Sequence, residues 1–389
     1  MSRARKGCGC VVAVVLLLAG ASAFVGWKYV LPWWRTKPPA ASGAELQVHI
    51  LDVGPVDGDS ILIISPTGQA VLIDAGDVGK EKIVLEALKR YKVQQLDYFI
   101  ATHPHRDHIG AAAAVIKAVK TLNIIDNGLG PVTLPGANPT PAPGKTPTGN
   151  PGGASNKQAP RAGKKPKSAT QFYDDYEEAI KQSGAHYERA EAAKKYDLGG
   201  GARLTILAPS EPYFTKDKLK TGGNEPNANS IVVRLDYGDF SLLLAGDAEE
   251  QTEQRMLGKD IELQAKILKV AHHGSKYATS ADFLKRVHPE AAIISDGEWN
   301  RYGHPWQAVL DRLRADKVKV YRTDLQGEIS ITTTGKLRND RLYEIKNAKE
   351  AKSDIWIGRE AQKDDASRSG FIEYGDFGPP PKASQKPKN

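Results

Sequence analysis

The residues best suited to chemistry lie in one short stretch, Thr102-His103-Pro104-His105-Arg106-Asp107-His108. It holds three of the nine histidines of the chain and one carboxylate. Imidazole nitrogens and carboxylate oxygens are ligands that zinc, manganese and iron accept. A polar loop with unrelated histidines is the competing interpretation, but histidine is scarce elsewhere in the chain. The spacing therefore predicts a metal site.

The elements around this stretch are arranged to aim several ligands at one place. The apolar run 96–101 precedes it as a strand, and the alanine-rich run 111–119 follows as a helix. Three more apolar strands end on ligand-type residues, which are Asp74, Asp247 and the pair His272-His273. A single Asp at a strand end usually caps a turn. Together, the four ends predict one site at the edge of stacked sheets.

Strands and helices alternate through both halves of the chain. Apolar, β-branched runs predict strands, and apolar spacing of three or four residues predicts helices. The predicted strands are 49–53, 60–64, 70–73, 203–208, 230–236, 240–244, 266–270, 291–295, 318–322 and 328–333. The predicted helices are 80–91, 169–183, 281–287 and 305–314. This alternation indicates the α/β (α+β) class, with mixed sheets and helices outside them.

Composition divides the chain into segments. Residues 35–44 are rich in Pro, Ala and Gly and predict a linker, and one domain is expected over residues 45–336. Within it, residues 128–168 hold almost no large apolar side chains, which predicts a disordered Pro/Gly/Lys-rich insertion. An interdomain linker is the alternative for this stretch. Residues 337–389 are predicted to form a polar, largely disordered tail.

The N-terminal segment, residues 1–34, predicts a membrane anchor or a signal segment. An uncharged run extends from Cys8 to Trp27, and a transmembrane helix needs about 20 such residues. Basic residues precede the run, so a single-pass protein of the bacterial cell membrane is expected, with its catalytic domain extracytoplasmic. Ala21-Ser22-Ala23 fits a cleavage site, and a secreted protein is the alternative.

Charge and cysteine content narrow the chemistry. The only cysteines, Cys8 and Cys10, precede the apolar run, so the rest of the chain has neither a disulfide framework nor a cysteine-ligated zinc site. The formal net charge is +8. A basic chain favours anionic partners such as nucleic acid or lipid headgroups, whereas solubility of the polar segments explains the same charge. The sequence leaves the protein partners unknown.

These motifs resemble the metallo-β-lactamase superfamily over residues 46–334, outside the insertion. The carriers are Leu72-Ile73-Asp74, His103-x-His105-x-Asp107-His108, Gly246-Asp247 and His273. A narrower likeness is to the hydrolase domain of ComEC-type DNA-uptake proteins. It rests on Leu51-Asp52-Val53-Gly54, Asp59-Ser60, Asn229-Ser230, His272-His273-Gly274-Ser275, Tyr302-Gly303-His304-Pro305 and Tyr321-Arg322-Thr323-Asp324. The resemblance implies an αββα sandwich with two divalent metal ions, zinc or manganese, at the sheet edge.

The resemblance also implies roles for single residues. The implied ligands of the first metal are His103 and His105. Those of the second metal are Asp107, His108 and His273, with His272 as the alternative to His273. Asp247 is the implied bridge between the two metals. The carboxylates implied behind the ligands are Asp74, which orients the histidine loop, Asp52 and Asp59.

The chain departs from the family pattern in two places. The superfamily has a histidine before the strand that corresponds to 230–235, where this chain offers Asn227 or Asn229. His186 is a less suitable substitute because it precedes another strand. An amide oxygen is a harder ligand than imidazole, so the first metal is expected to bind loosely or to prefer manganese. The turn 54–59 is also longer here than in the related proteins.

The leading hypothesis is a membrane-tethered, metal-dependent phosphodiesterase or nuclease that uses a metal-activated hydroxide. The predicted catalytic residues are Asp107 and Asp247, either of which would hold the proton, and His304. His304 would serve the leaving group or contact a phosphate, with a helix cap as its structural alternative. The predicted substrate contacts are Ser275, Lys276, Tyr277 and Asn229. A hydrolase of carbonyl substrates (a lactone, thioester or β-lactam) and a catalytically weak polymer-binding surface protein are the alternatives.

Overall fold

A computed structural model describes residues 45–130, 170–219, 225–298 and 302–359. The predicted N-terminal segment 1–34, the linker 35–44 and residues 131–168 of the predicted insertion lie outside these ranges. Among the described residues, no helix is both long enough and apolar enough to cross a membrane. These residues belong to one unit that begins at Glu45.

The first sheet is mixed. In chain order its strands are β1 (Leu46–Ile50), β2 (Ile61–Ile64), β3 (Ala70–Ile73), β4 (Gln95–Ile100), β5 (Lys120–Asp126), β6 (His186–Arg189), β14 (Ile329–Arg338) and β15 (Arg341–Asn347). Their order across the sheet is β15-β14-β1-β2-β3-β4-β5-β6. The strands from β3 to β6 pair in parallel, and the other pairs are antiparallel. β3 is buried along its whole length, as expected for a central strand covered on both faces.

The second sheet is also mixed. Its strands are β7 (Lys195–Asp197), β8 (Ala202–Ala208), β9 (Val232–Tyr237), β10 (Phe240–Leu244), β11 (Ile267–Lys269), β12 (Ala291–Ile294) and β13 (Lys319–Arg322). Their order is β13-β12-β11-β10-β9-β8-β7, with parallel pairing from β10 to β13. The tight turn between β9 and β10 contains Gly238 at a φ of 57°. A Cβ at Gly238 would lie 2.1 Å from the carbonyl oxygen of Gly335, so this close approach needs glycine.

Helices cover the outer face of each sheet. The helices of the described residues, which include the single turns α2, α5 and α9 in loops, are α1 (Glu81–Arg90), α2 (Arg106–Ile109), α3 (Ala112–Ala118), α4 (Gln171–Ser183), α5 (Glu225–Ala228), α6 (Glu250–Leu257), α7 (Ala281–Val287), α8 (Gln307–Ala315) and α9 (Thr323–Gln326). Apolar residues of the two sheets face each other in a central core. A second core joins the first sheet to α1, α3 and α4, and a third joins the second sheet to α6, α7 and α8. The predicted α/β class and two-sheet sandwich with outer helices are therefore confirmed.

Parallel pairing brings the carboxyl ends of several strands to common edges. β3 pairs in parallel with β4, and β11 pairs in parallel with both β10 and β12. Carboxyl ends of neighbouring parallel strands lie at the same edge of a sheet. The loops after β3 and β4 therefore share an edge of the first sheet, and those after β10, β11 and β12 share an edge of the second. These five loops carry the candidate site.

The predicted start of a disordered tail at residue 337 is wrong for the residues that the structure describes. β14 continues to Arg338 and β15 pairs with it. Further along, Trp356 packs against the core of α6, α7 and α8, and the backbone oxygens of Ile355 and Ile357 accept hydrogen bonds from Arg322. An edge strand with alternating charged residues looks like a solvated tail in sequence. Residues 360–389 lie outside the described part of the chain.

Candidate metal centre

The histidine loop begins where β4 ends and continues into the short helix α2. His105 is the extended residue just before α2, and Asp107 and His108 lie in its single turn. His103, His105 and His108 are all buried. The Nε2 atom of His103 lies 2.8 Å from Nδ1 of His105. Strand, tight loop and helix thus place three imidazoles and one carboxylate within a few ångströms.

Asp74 holds this loop against the end of β3. Its Oδ1 accepts a hydrogen bond from the Thr102 amide at 2.8 Å, and its Oδ2 accepts one from the Thr102 hydroxyl at 2.7 Å. The same Oδ2 lies 2.8 Å from Nδ1 of His108. A carboxylate on one ring nitrogen fixes the tautomer and leaves the other nitrogen for a ligand. Asp74 therefore lies where it can hold the histidine loop and the His108 ring.

Asp247 lies at the centre of the cluster, after β10. Its Oδ1 is 3.3 Å from His108 Nε2 and 3.7 Å from His273 Nε2. Its Oδ2 is 3.7 Å from His103 Nε2 and also 3.7 Å from His272 Nε2. The carboxylate therefore has imidazoles from both sheets around it.

The histidine pair after β11 adopts a strained backbone that separates the two rings. His272 has a φ of 48° and His273 a φ of 52°, values that L-residues seldom adopt. His273 Nδ1 lies 2.8 Å from the Ser295 carbonyl oxygen, to which it donates. Its Nε2 lies 3.5 Å from Asp107 Oδ2 and carries a lone pair only when the ring is neutral. Backbone strain of this kind is concentrated at functional sites.

Three buried atoms of this cluster have no hydrogen-bond partner among the described residues. They are His108 Nε2, Asp247 Oδ1 and His273 Nε2. Burying polar atoms without partners is costly, on the order of 1–3 kcal/mol for each. A divalent cation between them would satisfy all three, and nitrogen with carboxylate oxygen is a donor set that suits zinc or manganese. The residues present therefore fit a metal.

Two sets of ligand atoms are compact enough to hold an ion. His103, His108 and Asp247 form one, and Asp107, His108 and His273 form the other, with ligand atoms within 4.8 Å of each other. A third compact set joins His108 to Asp74 and Asp59. Asp74 already binds Nδ1 of His108, so we interpret Asp74 and Asp59 as residues that hold the ligands in place. His105 contacts His103 and lies outside these sets.

Electrostatics divide the histidines into two kinds. Burial lowers the pKa of His105 to about 4 and that of His272 to about 3, and burial with the nearby His108 holds the pKa of His103 well below its usual value. These rings are neutral, as metal binding requires. Burial also opposes charge on His273, but the Asp247 and Asp107 carboxylates outweigh it and raise its pKa to about 9. A cation would relieve the same excess of negative charge.

The structure distinguishes between the two asparagines at the missing histidine position. Asn227 Nδ2 lies 3.4 Å from both ring nitrogens of His272, so Asn227 borders the cluster. Asn229 instead bonds backbone groups of Phe214 and Glu225 with its side chain and is fully buried. The predicted substrate contact of Asn229 is therefore wrong, because its amide shapes the loop before β9. His186 is exposed on β6 beside Glu188 and does not substitute.

The two other predicted outer carboxylates have different surroundings. Asp59 is buried, and its carboxylate oxygens lie 2.8 Å from the buried Lys269 ammonium and 3.7 Å from His273 Nδ1. Burial opposes ionisation of Asp59, but Lys269 and His273 outweigh it and lower its pKa. Asp52 accepts the Gly54 amide at 3.0 Å and faces Lys349 at 3.5 Å. Its predicted place behind the metals is wrong, because its contacts lead to the surface.

The predicted substrate contacts form a rim after the histidine pair. Ser275 is buried and its hydroxyl accepts the Tyr277 amide. The Lys276 ammonium lies 4.2 Å from the ring centre of Trp306, and Tyr277 is 48% exposed. His304 is buried with its ring centre 5.2 Å from that of His272. The rim therefore offers a cation, an exposed aromatic ring and an imidazole next to the cluster.

Sequence patterns did not identify three residues of this region. Lys269 pairs with Asp59, Asp57 faces His304, and Glu249 lies 4.0 Å from His272. A lysine at the end of an otherwise apolar buried strand is a signal that could have indicated Lys269. A further acid, Asp296, lies beside Asp57. Burial and the neighbouring Asp57 and Asp324 carboxylates hold the pKa of Asp296 well above its usual value.

Comparison with known proteins agrees with this geometry. The family model described as Metallo-beta-lactamase superfamily matches residues 53–167. ComE operon protein 3 of Bacillus subtilis is 27% identical over 304 residues, which cover 74% of this chain and 33% of the relative. Recombination protein 2 of Haemophilus influenzae is 29% identical over 321 residues, covering 80% and 31% of the two chains.

Two further proteins are similar to this chain. Competence protein ComA of Neisseria gonorrhoeae is 29% identical over 326 residues, which cover 83% of this chain and 36% of ComA. The chain thus spans about one third of the length of these curated relatives. The solved metallo-beta-lactamase fold protein YhfI of Bacillus subtilis aligns with a TM-score of 0.40 at 13% identity, covering 71% of this chain and 96% of YhfI. Residues 53–167 thus match the metallo-beta-lactamase superfamily, and the chain is similar to ComEC-type competence proteins.

Proposed function

We propose that this chain is a metal-dependent phosphodiesterase that cleaves nucleic acid. The observation that carries the proposal is the meeting of three unbonded ligand atoms, His108 Nε2, Asp247 Oδ1 and His273 Nε2, at one buried point. Similarity to proteins named for competence and recombination supports nucleic acid as the substrate. The net charge of +8 supports an anionic substrate as well.

The ligands of the two ions come from the two compact sets and from the neighbouring His105. His103, with His105 beside it, and Asp247 would hold one divalent ion, and Asp107, His108 and His273 would hold the other. His108 can serve only one ion, because Asp74 occupies its Nδ1 and only Nε2 is left. When bound, such ions lower the pKa of water and stabilise charge that develops on phosphate oxygens. Asn227 stands where the family pattern has histidine and contacts His272, and an amide oxygen at this position favours manganese.

The protein side chains then handle protons and position the substrate. The Asp107 side chain is 27% exposed, whereas those of Asp247 and the ligand histidines His103, His108 and His273 are almost fully buried. Asp107 is therefore the carboxylate that a water molecule can reach, and it takes the proton of the attacking water. Lys276 and Tyr277 lie at the exposed rim, where the ammonium pairs with a phosphate and the ring contacts a base.

The proposal keeps the expected location of the chain. Residues 1–34 would anchor it to the bacterial membrane as a single-pass segment, and the metal centre would lie outside the cytoplasm. Release after cleavage at the small residues 21–23 is the alternative. Fractionation of cells that produce the full chain distinguishes the two, because an anchored protein stays with the membranes after a high-salt wash.

The test is metal analysis combined with a substrate panel on the full chain. Protein loaded with manganese or zinc is expected to hydrolyse bis-p-nitrophenyl phosphate and single-stranded DNA. Asp107→Ala is expected to lower both rates by about 100-fold or more, because it removes a ligand and the proton acceptor. Asp239→Asn, an exposed carboxylate in the turn between β9 and β10, is the matched control and should leave both rates unchanged.

Other outcomes would support a different function. Turnover of a lactone or thioester without hydrolysis of either phosphodiester would contradict the proposal and identify a carbonyl hydrolase. A metal content near zero after loading, with no turnover at all, would favour a polymer-binding protein. An Asp107→Ala variant as active as the wild type would show that the chemistry occurs elsewhere.

A further inference from the structure

The loop from Tyr302 to Trp306 packs directly on the turn that holds the histidine pair. A Cβ added at Gly274 would lie 2.6 Å from Cβ of Pro305, so the two segments touch. The Trp306 amide donates a hydrogen bond to the Gly274 carbonyl at 2.9 Å, and the Arg359 amide donates one to the Pro305 carbonyl at 3.0 Å. These contacts fix the loop relative to the metal centre, and with it the position of Tyr302.

Three aromatic rings lead from the metal centre to the solvent. His273 is 1% exposed, His304 is 4% exposed and Tyr302 is 45% exposed. The ring centres of His273 and His304 lie 6.1 Å apart with 25° between their planes, and those of His304 and Tyr302 lie 5.7 Å apart with 24°. Nearly parallel rings at these distances are offset-stacked. The series therefore runs from a proposed metal ligand to an exposed ring that presents apolar surface beside the site.

Exposed aromatic rings are confined to this rim in the part of the chain that the structure describes. The large apolar side chains exposed elsewhere are aliphatic, whereas Tyr277 and Tyr302 both border the metal centre. Single exposed apolar residues are ordinary on protein surfaces, so exposure alone carries no argument. Here, however, both rings lie beside a proposed phosphodiester site, and the Lys276 ammonium lies 5.1 Å from the Tyr277 ring centre. Aromatic rings near a cation are the kind of surface on which single-stranded nucleic acid stacks its bases.

We propose that Tyr302 is a specificity-determining residue, on whose ring one of the two nucleosides joined by the scissile phosphate stacks its base. This inference rests on the proposed phosphodiesterase function. A base inside a duplex is already stacked and paired, so only an unpaired base can lie on the ring without the cost of extrusion. Tyr302 therefore favours a single-stranded over a double-stranded substrate. It tolerates every base, because every base has a π-face.

The test uses a thymidine dinucleotide, whose single phosphodiester fixes which bond is cleaved, and two analogues that each lack one base. In the metal-loaded full chain, Tyr302→Ala is expected to lower kcat/KM for the dinucleotide by about tenfold, because one stacking contact is lost. The analogue without the stacked base should be cleaved equally by wild type and Tyr302→Ala, since the ring then has no base to contact. The analogue without the other base should show the full loss.

Two control variants separate stacking from other effects. Tyr302→Phe keeps the ring and should retain most of the wild-type kcat/KM, so a loss as large as that of Tyr302→Ala would overturn the proposal. Leu337→Ala, at an exposed residue of β14 near the turn before β10, lies at the opposite end of β10 from Asp247 and should be silent. Equal losses of Tyr302→Ala on all three substrates would overturn the proposal, because the ring would then only support the loop. No loss on the dinucleotide would overturn it as well.

A binding measurement keeps the proposal testable without turnover. In the Asp107→Ala background, fluorescence anisotropy compares a labelled oligothymidylate with an abasic strand of the same length. Adding Tyr302→Ala should weaken binding of the oligothymidylate by about tenfold and leave binding of the abasic strand unchanged. Equal affinities of the two proteins for the oligothymidylate would overturn the proposal. Failure of the wild type to cleave the dinucleotide and bis-p-nitrophenyl phosphate would instead contradict the proposed function, and the binding comparison would still decide the role of Tyr302.

Discussion

Glu253 shapes the segment that follows the histidine pair, although it lies outside the metal centre. Its carboxylate accepts hydrogen bonds from the amides of Thr279 and Ser280 at 2.5 and 2.9 Å. Ser280 in turn caps α7 by accepting the Phe283 amide. Glu253 is fully buried, and this burial raises its pKa from 4.5 to about 6. One buried acid thus ties α6 to the start of α7.

The raised pKa of Glu253 predicts how the free energy of unfolding depends on pH. Between pH 4.5 and about 6 the folded state binds more protons at Glu253 than the unfolded state does, so stability falls as pH rises through that window. Across this pH window, the free energy of unfolding of the wild type should fall by about 2 kcal/mol relative to that of Glu253→Gln. Urea unfolding of both proteins, with metal chelated, measures the difference. Parallel stability curves for the two proteins would contradict the assignment.

The candidate ligands could be predicted from residue types, but their partners could not. His103, Asp107 and His108 are recognisable because imidazole and carboxylate recur within a few positions. Asp57 and Lys269 have no such local pattern, since their partners are His304 and Asp59, more than 200 positions away. A residue whose role depends on a distant partner is visible only when the fold brings the two together.

At the scale of elements, hydrophobic periodicity predicted most strands and the longer helices. It missed β5, β6, β7 and α6, in which polar side chains alternate with apolar ones or face the solvent. It also missed β15, whose charged residues look solvated. β6, β7 and β15 are edge strands, β5 lies next to the edge strand β6, and α6 lies on the surface. Burial of one face is enough at such places, and the apolar pattern is weak.

The contacts of β15 and of the residues after it predict how far the described domain can be shortened from its C-terminal side. A chain ended at residue 336 would lose β15, which pairs with β14, and the two carbonyls that accept hydrogen bonds from the buried Arg322. Leaving that guanidinium with fewer partners is expected to destabilise the fold by about 3 kcal/mol or more. A chain ended at residue 359 keeps these contacts. Thermal melts of both should show a clear loss only for the shorter chain, and equal melts would contradict the role of β15.

At the scale of the whole molecule, net charge determines how substrate affinity responds to salt. If the substrate is nucleic acid, affinity should fall linearly with salt on logarithmic axes. Binding of single-stranded DNA by Asp107→Ala, measured by fluorescence anisotropy from about 50 to 200 mM salt, should weaken by at least about tenfold. A flat response would count against a nucleic acid substrate.

Two lysine variants test which positive charge accounts for the salt dependence of DNA affinity. Lys276→Gln, at the rim of the metal centre, should reduce the salt slope by about one unit because one phosphate contact is lost. Lys285→Gln, on the exposed side of α7, is the matched control and should leave the slope unchanged. Equal slopes for all three proteins would place the DNA contact elsewhere on the surface.

The sequence by itself determined the fold class, the family resemblance and the chemical nature of the site, because periodicity and ligand spacing are local properties. It also showed that a histidine is missing before β9. Only the tertiary structure decided that Asn227 rather than Asn229 borders the cluster, that Asp52 faces the surface, and that Asp57 faces His304. Those outcomes depend on how two sheets pack, and packing is set by contacts between residues far apart in the chain.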